Sequence, residues 1–230
     1  MNPENLEALK QKAAYEAVKH VKNGFIVGLG SGSTAAYAIE ALGERVKREN
    51  LNLLAIPTSY QAFLLAAKHQ IPVTTLEEHG VIDVNIDGAD QIDPKLNLIK
   101  GMGAALAREK IVASASKQNI IIADETKRVN ALGENGQPVP VEVIPFAIAL
   151  VKRKIEVAGG NPVLREGKGK VGPVITDNGN AVIDADFGVI RNAAELEVKL
   201  KMIPGVVETG LFIGLATSAY IATTSRVEKL

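Results

Sequence analysis

The sequence predicts an α/β protein: a doubly wound parallel sheet with a second, smaller α+β domain. Three observations carry that expectation. Strand-like and helix-like segments alternate through the first 130 residues, as a sheet wound with crossover helices demands. The segments FIVGL (25–29) and IIIA (120–123) are apolar without alternation, the pattern of strands covered by helices on both faces. Beyond residue 130, ALGENGQPVPVEVIP gives way to shorter elements with a hairpin signal at Asp177-Asn178-Gly179-Asn180.

In order, a helix over about 4–22 leads into a strand in GFIVGLG (24–30), a helix in TAAYAIEALGERVKREN (34–50) and a strand in LNLLAIPTS (51–59). A helix in YQAFLLAAKHQ (60–70), short strands around PVTTL (72–76) and VIDVNIDGAD (81–90), a helix in GAALAREKIVASAS (103–116) and a strand in NIIIADET (119–126) follow. The later module carries a helix in FAIALVKRKIEVAGG (146–160), two or three strands, and a helix in NAAELEVKLKMI (192–203). The expected domains are 1–130 with 207–230, and 131–206.

Composition removes whole classes of function. At 230 residues and 47% hydrophobic content the chain can bury a substantial core. Lys+Arg and Asp+Glu both number 26, so no overall positive field holds a polyanion, and nucleic acid is not an expected partner. Without cysteine there are no disulfides, thiolate nucleophiles or Cys-type zinc sites, and His20, His69 and His79 lack metal-ligand spacing. The amino terminus is charged where a signal peptide is apolar, and no apolar run approaches the ~20 residues that span a bilayer. A cytoplasmic protein without a membrane partner is expected.

Three blocks carry chemistry. GLGSGST (28–34) links a strand to a helix, but the third glycine of a dinucleotide fingerprint would fall on Ser33, and the next strand ends in Ile56-Pro57-Thr58-Ser59 without an acidic residue. No Gly-Lys-Ser/Thr closes a Walker loop either. What remains is a set of backbone N–H groups with the hydroxyls of Ser31, Ser33 and Thr34 at a helix amino terminus, which suits one phosphate on a small molecule. A tight turn with a Ser/Thr cap is the alternative. DGADQID (87–93) ends a strand, so Asp87 and Asp90 belong on the ligand-binding rim of an open sheet; their spacing is wrong for a calcium loop, and an Asx turn is the alternative. KGMGAALAREK (100–110) combines Lys100, the turn Gly101-Met102-Gly103 and Glu109. A carboxylate base with a cation and N–H groups suits proton abstraction beside a carbonyl, although a Glu between Arg108 and Lys110 also reads as a solvated helix face.

Together GLGSGSTAAYAIEALG, DVNIDGADQID, LIKGMGAALAREK, IIIADETK and VPVEVIP, in this order and spacing, closely resemble ribose-5-phosphate isomerase of the A type. The resemblance implies a Rossmann-like main domain with a smaller α+β domain, in a homodimer or homotetramer. It implies interconversion of ribose 5-phosphate and ribulose 5-phosphate in the non-oxidative branch of the pentose phosphate pathway, without metal or organic cofactor. By the same resemblance the catalytic base falls on Glu109, with Asp87 and Lys100 as further catalytic residues. Ser31, Gly32, Ser33, Thr34, Asp87, Gly88, Ala89, Asp90, Lys100, Gly101, Met102, Gly103 and Lys127 bind the substrate. Lys10 is implied as an additional phosphate contact. Two positions depart from the family pattern: Ser31 stands where threonine is frequent, and Met102 where a third glycine is common. Two rivals use related parts, a sugar-phosphate-sensing regulator and a coenzyme A transferase with a nucleophilic glutamate. The regulator lacks a helix-turn-helix segment or basic surface in this sequence.

Overall fold

The computed structural model describes residues 3–169 and 171–230. Its α-helices are α1 (Pro3–Val18), α2 (Ser33–Glu49), α3 (Tyr60–Lys68), α4 (Leu106–Ser114), α5 (Ile148–Val157) and α6 (Ala193–Lys201). The strands are β1 (Ile26–Leu29), β2 (Leu54–Pro57), β3 (Val84–Gly88), β4 (Gln91–Ile92), β5 (Leu98–Ile99), β6 (Asn119–Asp124), β7 (Val139–Val143), β8 (Asn161–Leu164), β9 (Ala181–Asp186), β10 (Val206–Thr209), β11 (Leu211–Phe212), β12 (Ser218–Ala222) and β13 (Val227–Lys229). By packing, the described residues up to Ala89 with Arg108–Lys127 and Leu215–Leu230 form one compact unit; Asp90–Ala107 and Arg128–Gly214 form another.

The first unit is built on a six-stranded sheet of order β13-β12-β6-β3-β1-β2. All neighbours are parallel except the closing β12–β13 pair. From β1 the chain winds outward to β2, then returns to place β3 on the other side of β1, so the winding reverses between β1 and β3. Ligands of open α/β sheets bind where the strand order reverses, beyond the carboxyl ends of those strands. The two faces separate by strand parity. Val27 and Leu29 of β1, Val84 and Ile86 of β3, and Ile120 and Ile122 of β6 join Leu9, Ala13 and Ala17 of α1 and Ile39 and Leu42 of α2 in one core. Burying a side chain such as Ile39 or Leu42 contributes about 1.5–3 kcal/mol. The alternate residues, Ile26 and Ile56, pack with Val112 of α4.

Local backbone chemistry sets the element ends. α2 stops at Asn50, which takes the left-handed conformation (φ 50°) and donates its N–H to the Val46 carbonyl. α4 begins at Leu106, three residues later than the expected start at 103, because Gly101 (φ 107°) and Ala104 (φ 60°) occupy left-handed conformations that a helix cannot include. The expected strand around PVTTL is reduced to a single parallel bridge between Ala55 and Val73, since Pro72 has no N–H with which to extend the ladder.

In the second unit, an antiparallel sheet of order β10-β7-β9-β8 and a small sheet of order β11-β5-β4 lie with α5 and α6. Val139, Val141 and Val143 of β7 and Ala181, Ile183 and Ala185 of β9 share a core with Val151 and Ile155 of α5 and Leu200 of α6. The hairpin signal is realised before β9, with Thr176 N–H donating to the Asn180 carbonyl (2.8 Å) and Gly179 at φ 80°.

Candidate active site

In the first unit the glycine loop leaves β1 and meets the end of β3. Asp87 is buried, and one oxygen of its carboxylate accepts from Ser31 N–H (3.1 Å) and Gly88 N–H (2.7 Å). The first two glycines of the loop exist for this packing. A Cβ on Gly30 would lie 2.1 Å from Asp87 Oδ1, and one on Gly28 would lie 2.5 Å from Asn85 Oδ1 and 2.6 Å from Val112 Cγ1. Thr34 and Gly88 are also neighbours, with Thr34 Cβ 4.0 Å from the position of a Gly88 Cβ. Asn85 reaches across to β6, donating to Asn119 Oδ1 (2.7 Å).

The hydroxyls of the loop differ in what they do. Ser31 Oγ donates to Ser59 Oγ (2.6 Å) and lies 2.8 Å from Thr58 Oγ1, so it fastens the loop to the turn after β2. Gly32, at φ 100°, is the N-cap of α2 and carries no side-chain cap; its own N–H donates to Gln61 Oε1 (2.8 Å). A Ser/Thr cap is therefore absent here. The first-turn N–H groups of α2, on Ser33, Thr34 and Ala35, have no carbonyl one turn earlier in the helix, and the helix dipole adds partial positive charge at the same end. A cation stands beside them: Lys10 Nζ donates to Ser33 Oγ (3.2 Å) and to Glu7 Oε1 (2.7 Å), while Tyr37 OH donates to Glu7 Oε2 (2.9 Å). The bonds from Lys10 and then Tyr37 hold the Glu7 carboxyl below the usual carboxylate range. This end of the unit is suited to an anion.

Glu109 lies in the first turn of α4 and is buried, not on a solvated face. It precedes by one turn Val112, which packs against the sheet, and residues three apart share a helix face. On the same rim, β6 ends at Asp124, whose Oδ1 accepts from Thr126 N–H (2.9 Å), and Lys127 follows in a single 3-10 turn, half-buried. The Oδ2 atom of Asp124 is buried and has no hydrogen-bond partner among the described residues.

The remaining expected residues belong to the second unit. Asp90 follows the half-buried Ala89 in the chain, and its Oδ2 accepts from Met102 N–H (3.0 Å). Lys100 is buried; its N–H donates to the Gly210 carbonyl (2.9 Å) and its ammonium lies 5.4 Å from the Phe212 ring centroid. Gly101 sits with Leu106 and Pro140 at 3.0 and 3.1 Å from a would-be Cβ, so only glycine fits there. Met102 is exposed and has no left-handed φ, so its side chain does not crowd the turn, and Gly103 is likewise exposed. Sequence reasoning missed Arg165, which donates to both the Gly101 and Met102 carbonyls (2.9 Å each). It also missed Glu7, Tyr37, Thr58, Ser59 and Gln61. Their position immediately beyond β2 was the available signal for Thr58 and Ser59; nothing local marks the others.

Among the described residues no group of three His, Asp or Glu side chains could hold a metal ion, and no helix is long and apolar enough to cross a membrane. The first unit offers an anion cradle and buried carboxylates, and the second a buried ammonium.

Comparison with known proteins adds the lineage. Residues 54–226 match the family described as ribose 5-phosphate isomerase A (phosphoriboisomerase A). The ribose-5-phosphate isomerase A of Methanothermobacter thermautotrophicus is 51% identical over 222 residues, covering 96% of this chain and 97% of that one. The solved ribose 5-phosphate isomerase A of Methanocaldococcus jannaschii is 46% identical with a TM-score of 0.94, covering 97% of this chain and 98% of that one. A solved D-ribose-5-phosphate isomerase in complex with phospho-erythronic acid is 45% identical with a TM-score of 0.95, covering 100% and 99%. The α/β fold expected from the sequence is thus found both in the chain and in its relatives, and the chain belongs to the ribose 5-phosphate isomerase A family.

Proposed function

We propose that this chain interconverts D-ribose 5-phosphate and D-ribulose 5-phosphate by proton transfer through a cis-enediolate, with Glu109 as the base. The observation that carries the reading is the likeness, over the whole chain, to a D-ribose-5-phosphate isomerase in complex with phospho-erythronic acid. That ligand joins a phosphate to a planar carboxylate, the same pair of anionic ends that a phosphorylated cis-enediolate presents.

In this reading the phosphate sits on the first-turn N–H groups of α2, with Ser33, Thr34 and Lys10, and Gly32 completes the bend. Asp87, or a water it orients, assists opening of the sugar ring, and Gly88, Ala89 and Asp90 line the reacting end. Glu109 takes the proton from C2 of the open aldose; the electrons of the broken C–H bond pass into the C1–C2 bond as the C1 carbonyl oxygen becomes an oxyanion. Lys100 and the N–H groups of the Gly101-Met102-Gly103 turn that Asp90 does not hold stabilise that oxyanion, and Lys127 is a further substrate contact. Transfer of the O2 proton to O1 and return of the proton from Glu109 to C1 give the ketose, with no redox partner. A base contributes ~10²–10⁴ in rate and an oxyanion donor ~10²–10³, so both are needed for an unactivated sugar carbon. No step calls for a metal or an organic cofactor. The reading places the protein in the cytoplasm, in the non-oxidative pentose phosphate pathway, as a homodimer or homotetramer.

The test is conversion of ribose 5-phosphate to ribulose 5-phosphate in excess EDTA, with Glu109→Gln beside the parent. The parent converts and the variant falls by at least ~10²-fold while still binding the sugar phosphate. A parent that binds without converting hands the site to a sugar-phosphate sensor.

A further inference from the structure

The turn Gly101-Met102-Gly103 is clamped from one side by a single guanidinium. Strand parity gives the four-stranded sheet a core face, with Val139, Val141, Ala181 and Ile183, and an opposite face with Pro140, Asp184 and Val182. The turn lies over that opposite face, since a Gly101 Cβ would stand 3.1 Å from Pro140 Cβ. Arg165 directly follows β8, and its N–H donates to the Val182 carbonyl (2.9 Å), two residues from Asp184 on β9. From this diagonal position its Nε donates to Asp184 Oδ2 (2.8 Å), and its Nη2 donates to Asp184 Oδ1. Nη1 then donates to both the Gly101 and the Met102 carbonyls, at 2.9 Å each. The pair is largely withdrawn from solvent, with side-chain exposures of 11% for Arg165 and 20% for Asp184.

We infer that Arg165, held by Asp184, is a positioning residue for the oxyanion turn, an inference that rests on the isomerase reading above. In a trans peptide the C=O and N–H bonds point in opposite directions. Pinning the Gly101 carbonyl on Arg165 therefore turns the Met102 N–H to the far side, where Asp90 Oδ2 accepts it. Pinning the Met102 carbonyl turns the Gly103 N–H away from Arg165 in the same manner. A cation donating to both carbonyls also polarises the two peptides, which strengthens the Met102 N–H in its bond to Asp90 and the Gly103 N–H as a donor toward developing negative charge. The guanidinium suits the task because its planar fork can serve a carboxylate and two carbonyls at once, whereas an ammonium is a single flexible point charge. Arg165 needs no contact with the sugar.

The experiment is steady-state isomerisation by Arg165→Ala, Arg165→Lys and Asp184→Asn, with guanidinium chloride titrated at low millimolar concentration into the first. Expected are a kcat loss of about ten- to a hundredfold for Arg165→Ala, a loss for Arg165→Lys close to it, and a smaller loss for Asp184→Asn. KM stays within about threefold and the pH profile of kcat is unchanged, since the base is untouched. Added guanidinium restores part of the Arg165→Ala turnover. Should Arg165→Ala not fold, the lysine and asparagine variants carry the test. Parent-like kcat in both of those, or a loss confined to KM, overturns the inference while the parent's activity leaves the isomerase reading standing. A parent that does not isomerise the sugar phosphate removes that reading itself.

Discussion

At the scale of single residues, the glycine loop carries two jobs that its sequence does not separate. Gly28 and Gly30 look like part of a phosphate cradle, yet the structure assigns them to close packing against Asn85, Val112 and Asp87. Gly30→Ala should therefore displace Asp87, lowering stability by about 1–3 kcal/mol and abolishing turnover; a urea midpoint equal to the parent's would refute this packing argument. In the isomerase reading the phosphate is left to the residues after Gly32, so Lys10→Ala should raise KM for ribose 5-phosphate roughly ten- to a hundredfold, the worth of a charge-assisted hydrogen bond, with kcat little changed. Lys10 was legible as a contact only through family resemblance, because it is 23 residues from Ser33 in the chain. Glu7, Tyr37 and Arg165 were not legible at all. Ordinary charged or aromatic side chains acquire such roles only when another element delivers a partner to them.

At the scale of elements, polar ties outside the apolar cores register the strands. Asp83, just before β3, accepts from Ile26 N–H of β1 (2.9 Å) and from Lys117 Nζ ahead of β6 (2.7 Å). The Lys117 bond first, with the Ile26 N–H assisting against partial burial, holds the Asp83 carboxyl below its ordinary value. A depressed carboxyl contributes stability that is present above its unfolded pKa, about 3.9, and is lost as pH falls through the lower folded value. Asp83→Asn should flatten that acid limb of a urea midpoint against pH, and an unchanged limb would count against the tie. His20, whose Nε2 lies 2.5 Å from Tyr220 OH, is shifted below the usual histidine range by burial and then by the Lys229 charge. Its cost appears on acidification: stability declines as pH falls from about 6.5 toward the lower folded value, and His20→Gln should remove that step. Helices α2, α3 and α6 were legible as helix-like segments of the chain, whereas the late start of α4 and the loss of the 72–76 strand followed from left-handed φ values and Pro72.

At the scale of the whole molecule, the second unit leaves apolar side chains uncovered, among them Phe146, fully exposed, Val157 and Met202. The isomerase reading expects a homodimer or homotetramer, and sedimentation equilibrium should return two or four times the single-chain mass; a monomer at assay concentration would end that expectation. The sequence by itself determined the alternation of helix and strand, the motifs at the strand ends and the family. Apolar periodicity and glycine positions are local properties that survive in a one-dimensional string. Only the tertiary structure decided that residues 90–107 pack with 128–214, that Asp87 is held by the glycine loop, and that Arg165 grips the Gly101-Met102 carbonyls. Each of these is a meeting of groups far apart along the chain, and hydrogen bonds and close packing act over a few ångströms whatever the number of residues between.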